Sequence, residues 1–273
     1  MRDTITADRK AEVWRRLETV TDPELDEPVT ALEFVTRADV DANDCVHIEF
    51  RLPTYWCAAN FSFLMADDMR KAVKDLPWVA DVSIVLGEHM YADKITAGLA
   101  RGLNFQETFG AEADGDLNEL RRTFLLKAFQ RRQAALLAHL IEAGRGAVLL
   151  VEMTLEELAD LKLDEAGARL RRRYLERRST VFVSLATSQA FVDTDGDALQ
   201  VETLSTYVRT LRRVDVNAEF NSALCRGLLH ARFDTETPLS TKSGRRSRPN
   251  PGFCARHVTS RGCDDAEDHA ARC

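Results

Sequence analysis

"DCVHIEFRLPTYWCAANFSFLM" (Asp44–Met65) carries two different periods on either side of one turn. Before the turn the chain alternates, setting Val46, Ile48 and Phe50 on one face of a strand and Cys45, His47 and Glu49 on the other. After it, Phe61, Leu64, Met65, Met69, Val73 and Leu76 recur at helical spacing until Pro77 stops them. A strand that feeds a helix through "LPTYWC" predicts a small layered α/β unit.

Working outward, "WVADVSIVLG" (78–87) predicts a further strand, and Tyr91 to Arg101 a short closing helix. Upstream, residues 7–20 place Val13, Leu17 and Val20 on one helix face, and Val29 to Thr36 is a candidate strand. Between them "TDPELDEP" (21–28), with two prolines and dense acids, predicts an irregular loop. The order helix, strand, strand, helix, strand, helix makes residues 1–104 an α/β (α+β) domain of αββαβ type.

Composition then shifts. Residues 105–116 are polar and contain glycine, which predicts a linker. Residues 117–234 turn helical and rich in Arg and Leu. Asp116 with Glu119 suggests a capping box opening a helix that Gly144 stops, and Thr154 with Glu157 repeats the device. "ARLRRRYLERR" (168–178) predicts a helix with a basic face exposed to solvent. "ETLSTYVRTLRR" and "NAEFNSALCRGLLHARF" complete a mainly α-helical domain. Residues 235–273 hold few periodic apolar positions and blocks of opposite charge, which predicts a disordered tail.

With 45% hydrophobic and 30% charged residues, the 273-residue chain has material for a real core. Its net charge of −7 argues against a general nucleic-acid binder. The N-terminus shows no apolar signal region, and the longest uncharged run, Leu52 to Ala66, falls short of the roughly 20 residues a membrane span needs. A cytoplasmic location is expected. Six scattered cysteines without a C-x-x-C pair do not suggest a disulfide framework.

Several signatures are missing: G-x-G-x-x-G, the P-loop, H-E-x-x-H and G-x-S-x-G. The tail's Cys254, His257, Cys263, His269 and Cys273 match no closed zinc spacing. "DTDGDALQVE" (193–202) fails the calcium-loop pattern and predicts a turn. His47, His89, His139 and His230 each stand alone. Cys57 is different, because it falls at the start of a helix, where unpaired N–H groups and the dipole favour a thiolate. Thr54 lies within one turn's reach of that sulfur. Asp22 and Glu24 sit in an irregular loop, a common seat for functional side chains. From the residues alone, Cys57 is either a presented sulfur or a packed one.

"VTDPELDEPVTALEFV", a strand, "LPTYWC" at a helix start and "LPWVADVSIVL" together resemble the small iron–sulfur cluster assembly domain of SufT/PaaD type. The resemblance runs over roughly residues 9–102, and its most specific elements are Asp22-Pro23-Glu24 and Thr54 with Cys57. Ala58 stands where that family usually has proline, and the turn is a residue shorter than the "PTYSGC" form. The family implies a role in maturing iron–sulfur proteins, with Cys57 as the functional and metal-binding position. A transient iron–sulfur cluster or iron would be the cargo, with client proteins and cluster carriers as partners. The longer architecture is similar to assembly-type proteins found beside di-iron monooxygenases of actinobacteria, which makes a hydroxylase or its iron–sulfur reductase a candidate client. The expected function is therefore an assembly factor rather than an enzyme. A metal-free adaptor bridging client and carrier is the alternative. A cysteine nucleophile is a third reading that needs His47 or His89 as a base.

Overall fold

The computed structural model describes residues 2–113 and 115–233. The tail read as disordered, with its three cysteines, lies outside the described residues. Helix α1 (Arg2–Leu17) is followed by strands β1 (Val35–Val40) and β2 (Cys45–Phe50), helix α2 (Ala59–Lys74), strand β3 (Asp81–Leu86) and helix α3 (Ala92–Ala100). The sheet runs β1-β2-β3, with β1 and β2 antiparallel and β2 and β3 parallel. The α+β order expected from the two periods is the order found. Helix α2 is the crossover that a parallel β2–β3 pair requires.

The alternation in β2 buries Val46, Ile48 and Phe50, and β3 does the same with Val82, Ile84 and Leu86. Helices α1, α2 and α3 pack on this sheet and close the first core. The first ladder strand lies later than Val29–Thr36, at Val35–Val40. Residues 29–34 instead tie a loop, with Val29 N–H donating to Val20 O and Phe34 N–H to Val29 O.

The stretch read as a linker contains helix α4 (Phe105–Phe109) and a 3-10 turn (Gly110–Glu112). A capping box starts α4: Asn104 accepts from Glu107 N–H, and the Glu107 carboxylate accepts from Asn104 N–H. Phe105 and Phe109 then stack edge-on against Phe63 of α2, at 5.6 and 6.5 Å between centroids. This explains why Phe63, off the periodic face read from sequence, is buried. Gly98 of α3 permits the approach, because a Cβ there would lie 2.4 Å from Thr108 Oγ1.

Helices α5 (Leu117–Glu142), α6 (Ala147–Glu152), α7 (Leu155–Asp160), α8 (Glu165–Val181) and α9 (Val201–Phe233) form the second half. The two segments expected within 202–233 are one continuous helix. Asp116 does cap α5, but through Asn118 N–H rather than in a box with Glu119. A second core gathers Phe129, Leu136, Leu140, Tyr174, Phe191 and Leu204, among others. The basic face of α8 is not simply solvated. Arg178 is buried and donates to Ala190 O and Gln189 O, satisfying carbonyls of a loop that has no ladder of its own. The Asp193 stretch is a turn, its Oδ1 accepting from Asp195 and Asp197 N–H. No helix among the described residues is long and apolar enough to cross a membrane.

Candidate functional site

Beyond β2 the chain turns through Pro53 and Thr54 before α2 begins. Ala58 is the N-cap of α2 and offers no side-chain cap, so Cys57 stands one residue outside the helix. Thr54 Oγ1 and Cys57 Sγ are 3.1 Å apart, which joins the two residues that the sequence singled out in this turn. Cys57 is half-buried, its inner side packed on the first core.

The turn is pinned from the loop between β3 and α3. His89 Nε2 lies 2.8 Å from Cys57 O, and Met90 N–H donates to Tyr55 O at 2.9 Å. A carbonyl only accepts, so His89 carries its proton on Nε2. Its Nδ1 then accepts from Tyr91 N–H at 3.2 Å. Burial depresses the His89 pKa below 6.5, and Arg232 adds to that, against the raising effect of the Cys57 hydrogen bond. His89 is thus a neutral clamp on the backbone of Cys57. Both its nitrogens are engaged, and His47 sits beside Asp41, so neither histidine serves as a base for Cys57 in this arrangement. The turn leaves Tyr55, Trp56 and Met90 exposed around it, Trp56 at 72%.

The acid loop is built on Asp22. Its Oδ1 accepts from Glu24 N–H at 2.9 Å and Leu25 N–H at 2.8 Å, while its own N–H donates to Glu27 O. Asp22 is only 8% exposed, and burial raises its carboxyl from 3.8 to about 6 despite those two hydrogen bonds. Glu24 is exposed and accepts from Asn221 Nδ2 of α9 at 3.1 Å.

Asn221 introduces a residue that no local pattern marked. One helical turn later α9 presents Cys225, a free, half-buried thiol packed on the first core. Burial pushes this thiol up to about 11, and Asp22, Cys57 and Glu24 add to the rise in that order. Three of the residues singled out by sequence, Asp22, Cys57 and Glu24, thus act electrostatically on Cys225. In the sequence it is only one of six scattered cysteines, because nothing in "NSALCRGLL" encodes what the helix packs on. Among the described residues no three His, Cys, Asp or Glu side chains are gathered so as to hold a metal ion.

Residues 10–84 match the family model described as iron–sulfur cluster assembly protein. The N-terminal part of this chain is similar to iron–sulfur cluster assembly proteins. Asp22, Glu24, Thr54 and Cys57 all fall inside the matched segment, whereas His89 and Cys225 fall outside it. Among solved structures, a domain of unknown function, DUF59, from Bacillus anthracis is similar at 19% identity, over 37% of this chain and 99% of its own, with a TM-score of 0.30. No curated protein matches the chain.

Proposed function

We propose that the protein is a maturation factor that carries iron or an iron–sulfur cluster on Cys57 and passes it to a client protein. The observation that carries this reading is the presentation of Cys57. Its sulfur is met by the Thr54 hydroxyl at 3.1 Å, its carbonyl is clamped by His89, and it is left half-exposed at the mouth of a strand-to-helix turn. A cysteine that served only to fill the core would need none of these. The family match supports assembly as the general role. The helical half would dock the client, for which a monooxygenase hydroxylase or its iron–sulfur reductase is proposed, in the cytoplasm.

The metal-free adaptor is the second reading, favoured by the lack of a three-ligand cluster among the described residues. Iron and sulfide content after anaerobic purification separates the two. Metal that is lost in Cys57→Ser supports the carrier, whereas metal-free protein that still supports client maturation supports the adaptor.

A further inference from the structure

We propose that the outward face of α9 is a self-association seam. A second copy of this chain pairs on it antiparallel, each helix laying a ridge of large side chains into a groove of small ones on the other. The seam is independent of the role given to Cys57.

Polar side chains fasten α9 to the first half. Asn221 donates to Glu24 at 3.1 Å, Ser222 to Glu27 at 2.6 Å, Arg226 to Ala31 O at 2.8 Å and Arg232 to Leu52 O at 3.1 Å. Together with Leu229, buried in the first core, these contacts fix which way the helix is turned. Phe220, Leu224, Gly227, Leu228 and Ala231 recur at the i, i+4, i+7, i+8, i+11 spacing of one helix face, and Ala223 borders it. All six are exposed, Phe220 at 68% and Leu224 at 48%. An amphipathic helix ordinarily turns its apolar stripe inward. An uncharged stripe of three turns left facing solvent marks an interaction surface.

The sizes of these side chains name the occupant. Phe220, Leu224 and Leu228 form one row at steps of four, and Ala223, Gly227 and Ala231 form the row beside it, a ridge next to a groove. A Cβ on Gly227 would meet nothing within 4 Å, so the groove is open. Let two copies run antiparallel about a two-fold axis between Cys225 and Arg226. Phe220 then faces Ala231, Leu224 faces Gly227 and Leu228 faces Ala223 of the second copy. Every large side chain meets a small one in that single register, as close packing requires. A parallel pair would set Phe220 on Phe220 and Gly227 on Gly227, crowding one end and leaving a void at the other. No charged residue lies in the face, so the net charge of −7 sets no like charges against each other within the seam. A seam about 16 Å long and one helix wide falls short of the roughly 800 Å² per partner that a stable interface buries. The pair should therefore form and part with concentration. Arg232 reaches Leu52 beside the Cys57 turn, so antiparallel pairing carries the two Cys57 turns to opposite ends of the seam.

The test is sedimentation of the reduced full-length chain across a micromolar-to-millimolar concentration series. The wild type should pass from monomer to dimer. Gly227→Leu adds apolar surface but fills the groove that Leu224 of the second copy needs, so its dissociation constant should rise on the order of tenfold or more. Replacing a glycine inside a helix should not lower the melting temperature, which checks the fold of this variant. The exchange Phe220→Ala with Ala231→Phe keeps large against small, and it should associate more tightly than Ala231→Phe alone. A wild type that stays monomeric throughout overturns the inference, and a dimer that appears only on truncation after Phe233 would name the tail as the occupant instead. Gly227→Leu that associates as tightly as the wild type, or more tightly, also overturns it, because unspecific apolar contact would then account for the pair.

Discussion

Arg132 of α5 grips Asp26 of the acid loop at two points, Nε to Oδ2 at 2.6 Å and Nη2 to Oδ1 at 2.9 Å, across 106 residues of chain. Arg177 of α8 bonds the same carboxylate, and Asp26 is only 3% exposed with a backbone φ of +52°. The loop that carries Asp22 and Glu24 is thus held from the helical half. Asn keeps the shape and tolerates that backbone, so Asp26→Asn isolates the charge. It should cost about 3 kcal/mol or more, because two guanidinium groups lose a buried partner. Asp39→Asn, which breaks an exposed pair with Lys10, should cost less than about 1 kcal/mol. Urea unfolding midpoints of the two variants make the comparison.

Asp22 sets a pH dependence of defined sign. Its folded pKa of about 6 lies above the ordinary 3.8, so between those values the native state keeps a proton that the unfolded state has lost. Stability due to this group therefore falls as pH rises through that window. Above it the deficit is constant, on the order of 2–3 kcal/mol. Asp22→Asn can keep both hydrogen bonds to Oδ1 without the charge. Its melting temperature should exceed wild type by at least about 4 °C at pH 7.5 and converge with it near pH 4. A variant less stable at both pH values would show that the buried charge has a compensating partner.

His89 slopes the other way. Its pKa is depressed below 6.5, so below that value the unfolded state binds the proton more readily, and the stability it contributes is lost as the solution is acidified. His89→Ala should remove this component and cost about 1–3 kcal/mol. Freed of its clamp, Cys57 should also react faster with iodoacetamide at neutral pH. Unchanged reactivity in a folded variant would show that Pro53 and Thr54 hold the turn without it.

Cys57→Ser trades a half-buried sulfur for a smaller oxygen beside Thr54, so stability should change by less than about 1 kcal/mol. Client maturation in the cell should nonetheless be lost. If the protein unfolds while maturation per folded molecule survives, the sulfur was only packing.

The division into 1–104 and 117–234 stands as a proposal with a sharper form. Phe105 and Phe109 belong to the first core, against Phe63. A fragment ending at residue 113 should be folded and more stable than one ending at 104 by several kcal/mol, in line with about 3–5 for each large aromatic truncated to alanine. Equal stability of the two fragments, measured by urea titration, would exclude α4 from the folding unit.

Alternation in "CVHIEF" and the helical period from Phe61 to Leu76 were enough to determine β2, α2 and the turn between them. Both signals are local: a strand or helix with one buried face writes that face into its own spacing. The same stretch exposed Thr54 and Cys57 as a pair, since three residues of turn bring them together whatever the rest of the chain does. Phe63, His89 and Cys225 obeyed no such pattern. Phe63 is buried because α4 covers it, His89 matters because a loop returns it to the Cys57 carbonyl, and Cys225 because Asn221 and Arg232 fasten α9 across the first core. The basic face of α8 read as solvated charge because arginine spacing says nothing of Asp26, 151 residues away, or of the carbonyls of residues 189 and 190 that Arg178 meets. Partners so distant in sequence leave no period behind, and only the packing of the two halves decides which side chains meet.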